Sequence, residues 1–228
     1  MAHEQEKEAA ARASLRFIKD GQVVGLGTGS TAAYFIDFLG EKVKQGLRIR
    51  AIPTSDLSGQ RAANLGIPLT TFEECPEIDV TVDGADELDS QLRLIKGGGG
   101  ALLREKIVAS ATRTYVIIAD SSKHVPVLGK FPLPVEVIKF AQPVVEKRIR
   151  ALGAQVDLRR DAAGNAFLTD EHNHILDCRF GEIRDPEALA RQLSDMPGVV
   201  EHGLFIGMAT VALVANANDV VELHAKGK

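Results

Sequence analysis

The chain has no tryptophan, aromatic side chains make up only 5% of it, and just two cysteines, Cys75 and Cys178, occur in 228 residues. Few aromatics argue against a surface on which bases stack. Two distant cysteines with no Cys-x-x-Cys pairing support neither a disulfide framework nor a zinc-thiolate site. There is no excess of positive charge: 27 Lys plus Arg stand against 31 Asp plus Glu, a formal net charge of -4. Broad electrostatic binding to nucleic acid or to an anionic membrane is therefore not expected. The longest apolar stretch, Leu204 to Ala215, is broken by Gly and Thr and is too short to span a bilayer. The charged, alanine-rich start at Met1 to Ala13 lacks the pattern of a secretory leader, so a reducing cytoplasm is the expected compartment. Internal repeats and low-complexity tracts are absent as well.

Glycine is what the chain has in quantity, 21 residues, and the order of elements shows where it matters. Four-residue spacing of Ala9, Ala13 and Phe17 predicts a helix over Glu4 to Lys19, and Gln22 to Leu26 reads as a short buried strand. A helix over Thr31 to Leu39 and a strand at Ile49 to Ile52 follow. This βαβ order favours a parallel sheet. Further expected elements are a helix at Ser58 to Leu65, strands at Ile78 to Val82 and Gln91 to Ile95, a helix at Ala101 to Ala109 and a strand at Thr114 to Ala119. Gly129, Pro132 and Pro134 then interrupt the pattern. Beyond them, a strand at Val135 to Phe140, a helix at Pro143 to Ala151, strands at Gln155 to Arg159 and His174 to Phe180, a helix at Asp185 to Ser194 and a strand at Val199 to Phe205 follow the ferredoxin-like order. Two last strands, Ala209 to Ala215 and Val220 to His224, are expected to return to the main sheet. The expected division is thus 1–130 with 206–228, and a smaller unit over 131–205.

In open α/β sheets ligands bind beyond the carboxyl ends of the strands, and four strand-end segments carry chemistry there. Gly25 to Thr31 combines glycines, hydroxyls and a helix start, which suits a phosphate cradle. It can equally be a strand-to-helix turn capped by Ser30 or Thr31. A dinucleotide fingerprint would need glycine in place of Ser30, and the Gly-Lys-Ser/Thr of a P-loop is missing. Asp83-Gly84-Ala85-Asp86-Glu87 offers two carboxylates able to move sugar hydroxyl protons, or simply an Asp-Gly turn with a helix cap. Lys96 followed by Gly97 to Gly100 brings a cation and a loop whose amides can approach a ligand closely, with Glu105 one turn into the next helix as a candidate base. Four glycines are costly in chain entropy, which makes a mere connector a poor explanation. Lys123 sits at a fourth strand end, where a solvated surface lysine is the alternative. His172 and His174 lie in an expected turn of the small unit and are read as surface residues rather than metal ligands.

Taken together, Gly-Thr-Gly-Ser-Thr at 27–31, Asp-Gly-Ala-Asp-Glu at 83–87, Lys-Gly-Gly-Gly-Gly-Ala-Leu at 96–102, Arg-Glu-Lys at 104–106 and Gly-Lys-Phe-Pro-Leu-Pro-Val-Glu-Val at 129–137 resemble the type A ribose-5-phosphate isomerases. The resemblance runs from Lys7 to the Gly-Leu-Phe segment ending at 205. It implies a Rossmann-like main domain with an inserted ferredoxin-like α+β domain, and interconversion of ribose 5-phosphate and ribulose 5-phosphate in the pentose phosphate pathway, without cofactor or metal. It implies Glu105 as catalytic base, with Asp83, Asp86 and Lys96 opening the ring and stabilising the intermediate. It further implies substrate contacts at Lys7, Thr28, Gly29, Ser30, Thr31, Asp83, Gly84, Ala85, Asp86, Lys96, Gly97, Gly98, Gly99 and Lys123, and assembly as a homodimer or homotetramer. No departure from the family pattern occurs at these positions. The rival readings are an acyl-CoA transferase using Glu105 as nucleophile, and a non-catalytic sugar-phosphate sensor. The twenty or so residues before the first strand are too few for a helix-turn-helix module.

Overall fold

Four buried residues in a row, Val23–Leu26, form β1, one strand in from the edge of a six-stranded sheet. The computed structural model describes residues 2–217 and 219–224. Around β1 lie β2 (Arg50–Pro53), β3 (Ile78–Asp83) and β6 (Thr112–Asp120), then β12 (Val211–Ala215) and β13 (Val220–His224), in the order β13-β12-β6-β3-β1-β2. Every pairing is parallel except the β12–β13 edge. Continuous apolar runs such as Val211–Ala215 are what a sheet covered on both faces requires.

Alternation along β6 distributes the two covers. Val116 and Ile118 face a core shared with Ala10 and Ala11 of α1 (Ala2–Ser14) and with Phe35, Ile36 and Leu39 of α2 (Ser30–Lys44). Tyr115, Ile117 and Ala119 face the other side, against Leu88, Leu94, Ala109 and Phe205. These belong to α4 (Leu102–Ser110) and to a three-stranded sheet of β4 (Glu87–Leu88), β5 (Leu94–Ile95) and β11 (Leu204–Phe205). The remaining helix of this half is α3 (Asp56–Asn64), capped by the Ser55 hydroxyl.

A separate four-stranded antiparallel sheet has the order β10-β7-β9-β8, made by β7 (Leu133–Val137), β8 (Gln155–Leu158), β9 (His174–Arg179) and β10 (Val199–His202), with α5 (Gln142–Ala151) and α6 (Pro186–Ser194) as its helices. That is the ferredoxin-like arrangement joined to a Rossmann-like sheet. Its core includes Val135, Val145, Ile149, Leu176 and Leu193.

Several expected elements differ in extent: the helix expected over Thr31 to Leu39 runs over Ser30–Lys44, and the strand expected over Gln91 to Ile95 is only Leu94–Ile95. The first helix stops at Ser14, whose hydroxyl turns back to the Ala11 carbonyl at 2.7 Å, and a short 3₁₀ turn over Leu15–Phe17 follows. The strand expected from 135 to 140 begins earlier, at Leu133, and ends at Val137, where another 3₁₀ turn takes over. The single strand expected over 199–205 is two, because the chain changes sheet at Gly203. There the Gly203 amide donates to Pro134 O at 2.8 Å and its carbonyl accepts from Lys96 N at 2.9 Å. A Cβ at this position would lie 2.3 Å from Lys96 O, so only glycine permits the crossing.

Candidate active site

The loops after β1, β3 and β6, three adjacent strands, open on one cavity of about 260 Å³. Its size suits a small metabolite rather than a dinucleotide. Behind the first loop, Thr28 Oγ1 is held by hydroxyls of Thr54 at 2.7 Å, Ser55 at 2.8 Å and Ser58 at 3.2 Å. Gly29, with φ 107°, precedes α2, and no side chain caps that helix. The amides at the start of α2, with the Ser30 and Thr31 hydroxyls, are a ready seat for an anion.

Asp83 ends β3 and is fully buried. Its Oδ1 accepts from Thr28 N at 3.1 Å and Gly84 N at 2.7 Å. Its Oδ2 lies 3.0 Å from Lys96 Nζ and accepts from Tyr115 Oη at 3.3 Å. A Cβ at Gly27 would come within 2.2 Å of Asp83 Oδ1, so this carboxylate and the first loop fit only because residue 27 has no side chain. Asp83 is the one expected contact residue that does not line the cavity. It stands behind the wall, with both oxygens engaged.

Lys96, 2% exposed, gathers the site. Nζ donates to Gly84 O at 2.5 Å, meets Asp83 Oδ2, and donates to Glu105 Oε1 at 3.2 Å. Burial by itself would pull its pKa down, but Asp83 and Glu105 outweigh that and hold it above the ordinary lysine value. Glu105, in the first turn of α4, is also buried. Its Oε2 has no hydrogen-bond partner among the described residues. Burial pushes its pKa up to about 8; Lys96 opposes this, and the carboxylates of Asp83 and Asp86 add to it. One buried ammonium shared by two carboxylates cannot neutralise both, and Glu105 is left short.

Asp86 faces the cavity and accepts from Gly98 N at 2.7 Å. Burial raises its pKa, against the pull of the Gly98 amide and of Lys96. The glycine loop at 97–99, Gly84, Ala85, Lys7 from α1 and Lys123 from beyond β6 line the cavity as well. All the expected contact residues but Asp83 thus line one cavity, those of the strand-end loops together with Lys7, which only the family resemblance had pointed to. Strand-end reasoning missed His3, Asp120 and Ser122, which line it too. Ser122 adjoins the noticed Lys123 and Asp120 lies three residues before it, whereas a lone histidine at position 3 carried no signal.

His3, Glu6 and Asp120 bring three possible ligand atoms within 4.8 Å of one another. They fit a metal poorly. Glu6 Oε2 already accepts from Ser121 N at 3.1 Å and Ser121 Oγ at 2.8 Å, and Asp120 Oδ1 from Ser122 N at 3.0 Å. These carboxylates tie α1 to the loop that carries Lys123.

The profile of the family described as Ribose 5-phosphate isomerase A (phosphoriboisomerase A) matches residues 50–219. The ribose-5-phosphate isomerase A of Parvibaculum lavamentivorans is 52% identical, over 97% of this chain and 99% of its own length. Among solved structures, a D-ribose-5-phosphate isomerase in complex with phospho-erythronic acid superposes with a TM-score of 0.95 at 39% identity, covering 98% of this chain and all of its own. The ribose 5-phosphate isomerase A of Methanocaldococcus jannaschii gives 0.93 at 40% identity, covering 97% and 99%. Sequence and fold agree along nearly the whole length, and this chain belongs to the ribose 5-phosphate isomerase A family.

Proposed function

We propose that the cavity interconverts D-ribose 5-phosphate and D-ribulose 5-phosphate by proton transfer through a cis-enediolate. The observation that carries this reading is the Lys96–Glu105 pair: a buried carboxylate with one oxygen on an ammonium and the other unpartnered, beside a small cavity. Isomerisation needs one base that takes a proton from C2 and returns it to C1, and a fixed positive field for the oxygen that gains charge in between.

In the open-chain aldose, the Glu105 carboxylate takes the C2 proton. The electron pair of that bond becomes the C1–C2 double bond, and the carbonyl pair moves onto O1. Lys96 and the loop amides stabilise the resulting enediolate. The O2 hydroxyl then gives up its proton as C2=O forms, O1 gains one, and C1 takes the proton held by Glu105. Asp86, which reaches the cavity, serves the hydroxyl protons and ring opening; Asp83, with both oxygens engaged, serves by holding Lys96. The phosphate is assigned to Ser30, Thr31, the start of α2, Lys7 and Lys123. A phospho-erythronic acid complex in a relative supports a site for a short phosphorylated polyol chain.

An acyl-CoA transferase is the weaker reading, because Glu105 is pinned by Lys96 and buried rather than presented as a nucleophile. We further propose that residues 131–205 make one inserted unit, that the enzyme works in the cytoplasm, and that it is a homodimer or homotetramer. Phe140, 94% exposed, and Val144, 53% exposed, support self-association. Among the described residues no helix is long and apolar enough to cross a membrane. Incubating the protein with ribose 5-phosphate, with and without a chelator, tests the reaction: ketose should form at the same rate in both. No ketose in either would remove the reading.

A further inference from the structure

The glycine loop is gripped from outside the main sheet. Arg159, immediately after β8, donates Nη1 to Gly97 O at 2.8 Å and to Gly98 O at 3.1 Å. Its Nε and Nη2 engage the two oxygens of Asp177 on β9 at 2.9 and 2.5 Å. The guanidinium also lies 5.9 Å from the ring of Phe167, whose backbone N–H donates to Arg159 O at 2.9 Å. The side chain is 13% exposed.

A trans peptide carries its carbonyl and its N–H on opposite edges. With Gly97 O turned to Arg159, the Gly98 N–H is aimed the other way, and there it meets Asp86 Oδ2 at 2.7 Å. With Gly98 O also on Arg159, the Gly99 N–H is likewise turned away from the guanidinium, on a residue that lines the cavity. Glycines have no side chains to hold a peptide plane and the most backbone freedom to lose. One fork therefore sets two successive planes.

We propose that Arg159 is a positioning residue of the isomerase reaction: from the four-stranded sheet it fixes the glycine-loop peptides that hold Asp86 and face the sugar. The inference rests on the isomerase reading of the cavity and adds that the antiparallel sheet takes part in catalysis. Asp177 preorganises the fork, and a lysine, with a point charge in place of the planar fork, cannot reproduce it. The cations facing Asp86 are Lys96, Lys123 and Arg159, and its own carboxylate adds to the field that raises Glu105. Loss of Arg159 removes one of those cations and frees the Gly98 amide, and both changes disfavour the Asp86 carboxylate.

The test is Arg159→Met, Arg159→Lys and Asp177→Asn in the full chain, with ribose 5-phosphate kinetics across pH and thermal unfolding in parallel. Arg159→Met should lose roughly 10- to 100-fold in kcat with KM within about threefold. Arg159→Lys should recover part of the loss. A purely structural role would lower Tm while leaving kcat per folded molecule unchanged, and wild-type kcat in Arg159→Met overturns the proposal. If that variant does not fold, Arg159→Lys decides: wild-type kcat overturns the proposal, a clear loss in kcat supports it. Turnover by the wild type is the control for the isomerase reading itself. Amide exchange at Gly98 in the free protein reports positioning without turnover; it should accelerate in the variant, and unchanged exchange contradicts the grip.

Discussion

Lys96 Nζ stands 3.2 Å from Glu105 Oε1 across nine residues of chain, four of them the glycines of the intervening loop. The loop turns the chain so that the end of β5 and the first turn of α4 meet. Because Asp83 holds the same ammonium at 3.0 Å, the pair is one short of neutral, and that imbalance is the source of the proposed base.

The pH dependence follows from the signs. Glu105 is raised from 4.5 to about 8, so its base form is scarce at low pH and grows as pH rises. Lys96 is raised, so it stays charged throughout the working range. The kcat/KM profile should therefore rise with pH along a limb well above the ordinary carboxylate range, with no loss from Lys96 below the ordinary lysine range. A limb near 4.5 would show that Glu105 is not the titrating base.

Lys96→Met should be damaging twice over. It removes the cation from the developing oxyanion, worth roughly 10²–10³ in kcat. It also strands the Asp83 and Glu105 carboxylates, about 3–5 kcal/mol of stability for a broken buried pair. Denaturant titration beside steady-state kinetics separates the two losses; unchanged stability would mean the three charges are not coupled.

Lys123→Ala should raise KM for ribose 5-phosphate several-fold with kcat little changed, since a phosphate contact remote from C1 and C2 binds ground and transition states alike. The effect should shrink at high salt. A fall in kcat with unchanged KM would place Lys123 at the reacting carbons instead.

Gly203→Ala forces a Cβ against the Lys96 carbonyl at 2.3 Å. The backbone must shift, at a cost of about 1–3 kcal/mol, and Lys96 moves with it. Thermal unfolding and kcat should both fall; a fully active, fully stable variant would show that the sheet crossing does not set the lysine.

Much of this was legible from local chemistry. The four glycines at 97–100 are too costly in entropy to be idle, and like the glycine-rich turn at 25–29 they follow an expected strand, so the sequence alone points to a strand-end site. What was not legible needed distance in space. Asp83 and Asp86 look alike in an Asp-Gly turn, and only the fold shows one enclosed by Thr28, Gly84, Tyr115 and Lys96 and the other facing the cavity. Arg159 lies 62 residues from Gly97, in a segment with no motif of its own. The split of β10 from β11 hid in a single glycine, because the segment from Val199 to Phe205 reads as one strand until the partner on each side is known.

The central claim is that Glu105 carries the proton between C2 and C1, and Glu105→Gln tests it most directly. The amide keeps the shape and removes the base. Calorimetric titration with ribose 5-phosphate should give near wild-type affinity while kcat falls by roughly 10²–10⁴-fold, the usual worth of a positioned base. Turnover within a few-fold of wild type would contradict the account.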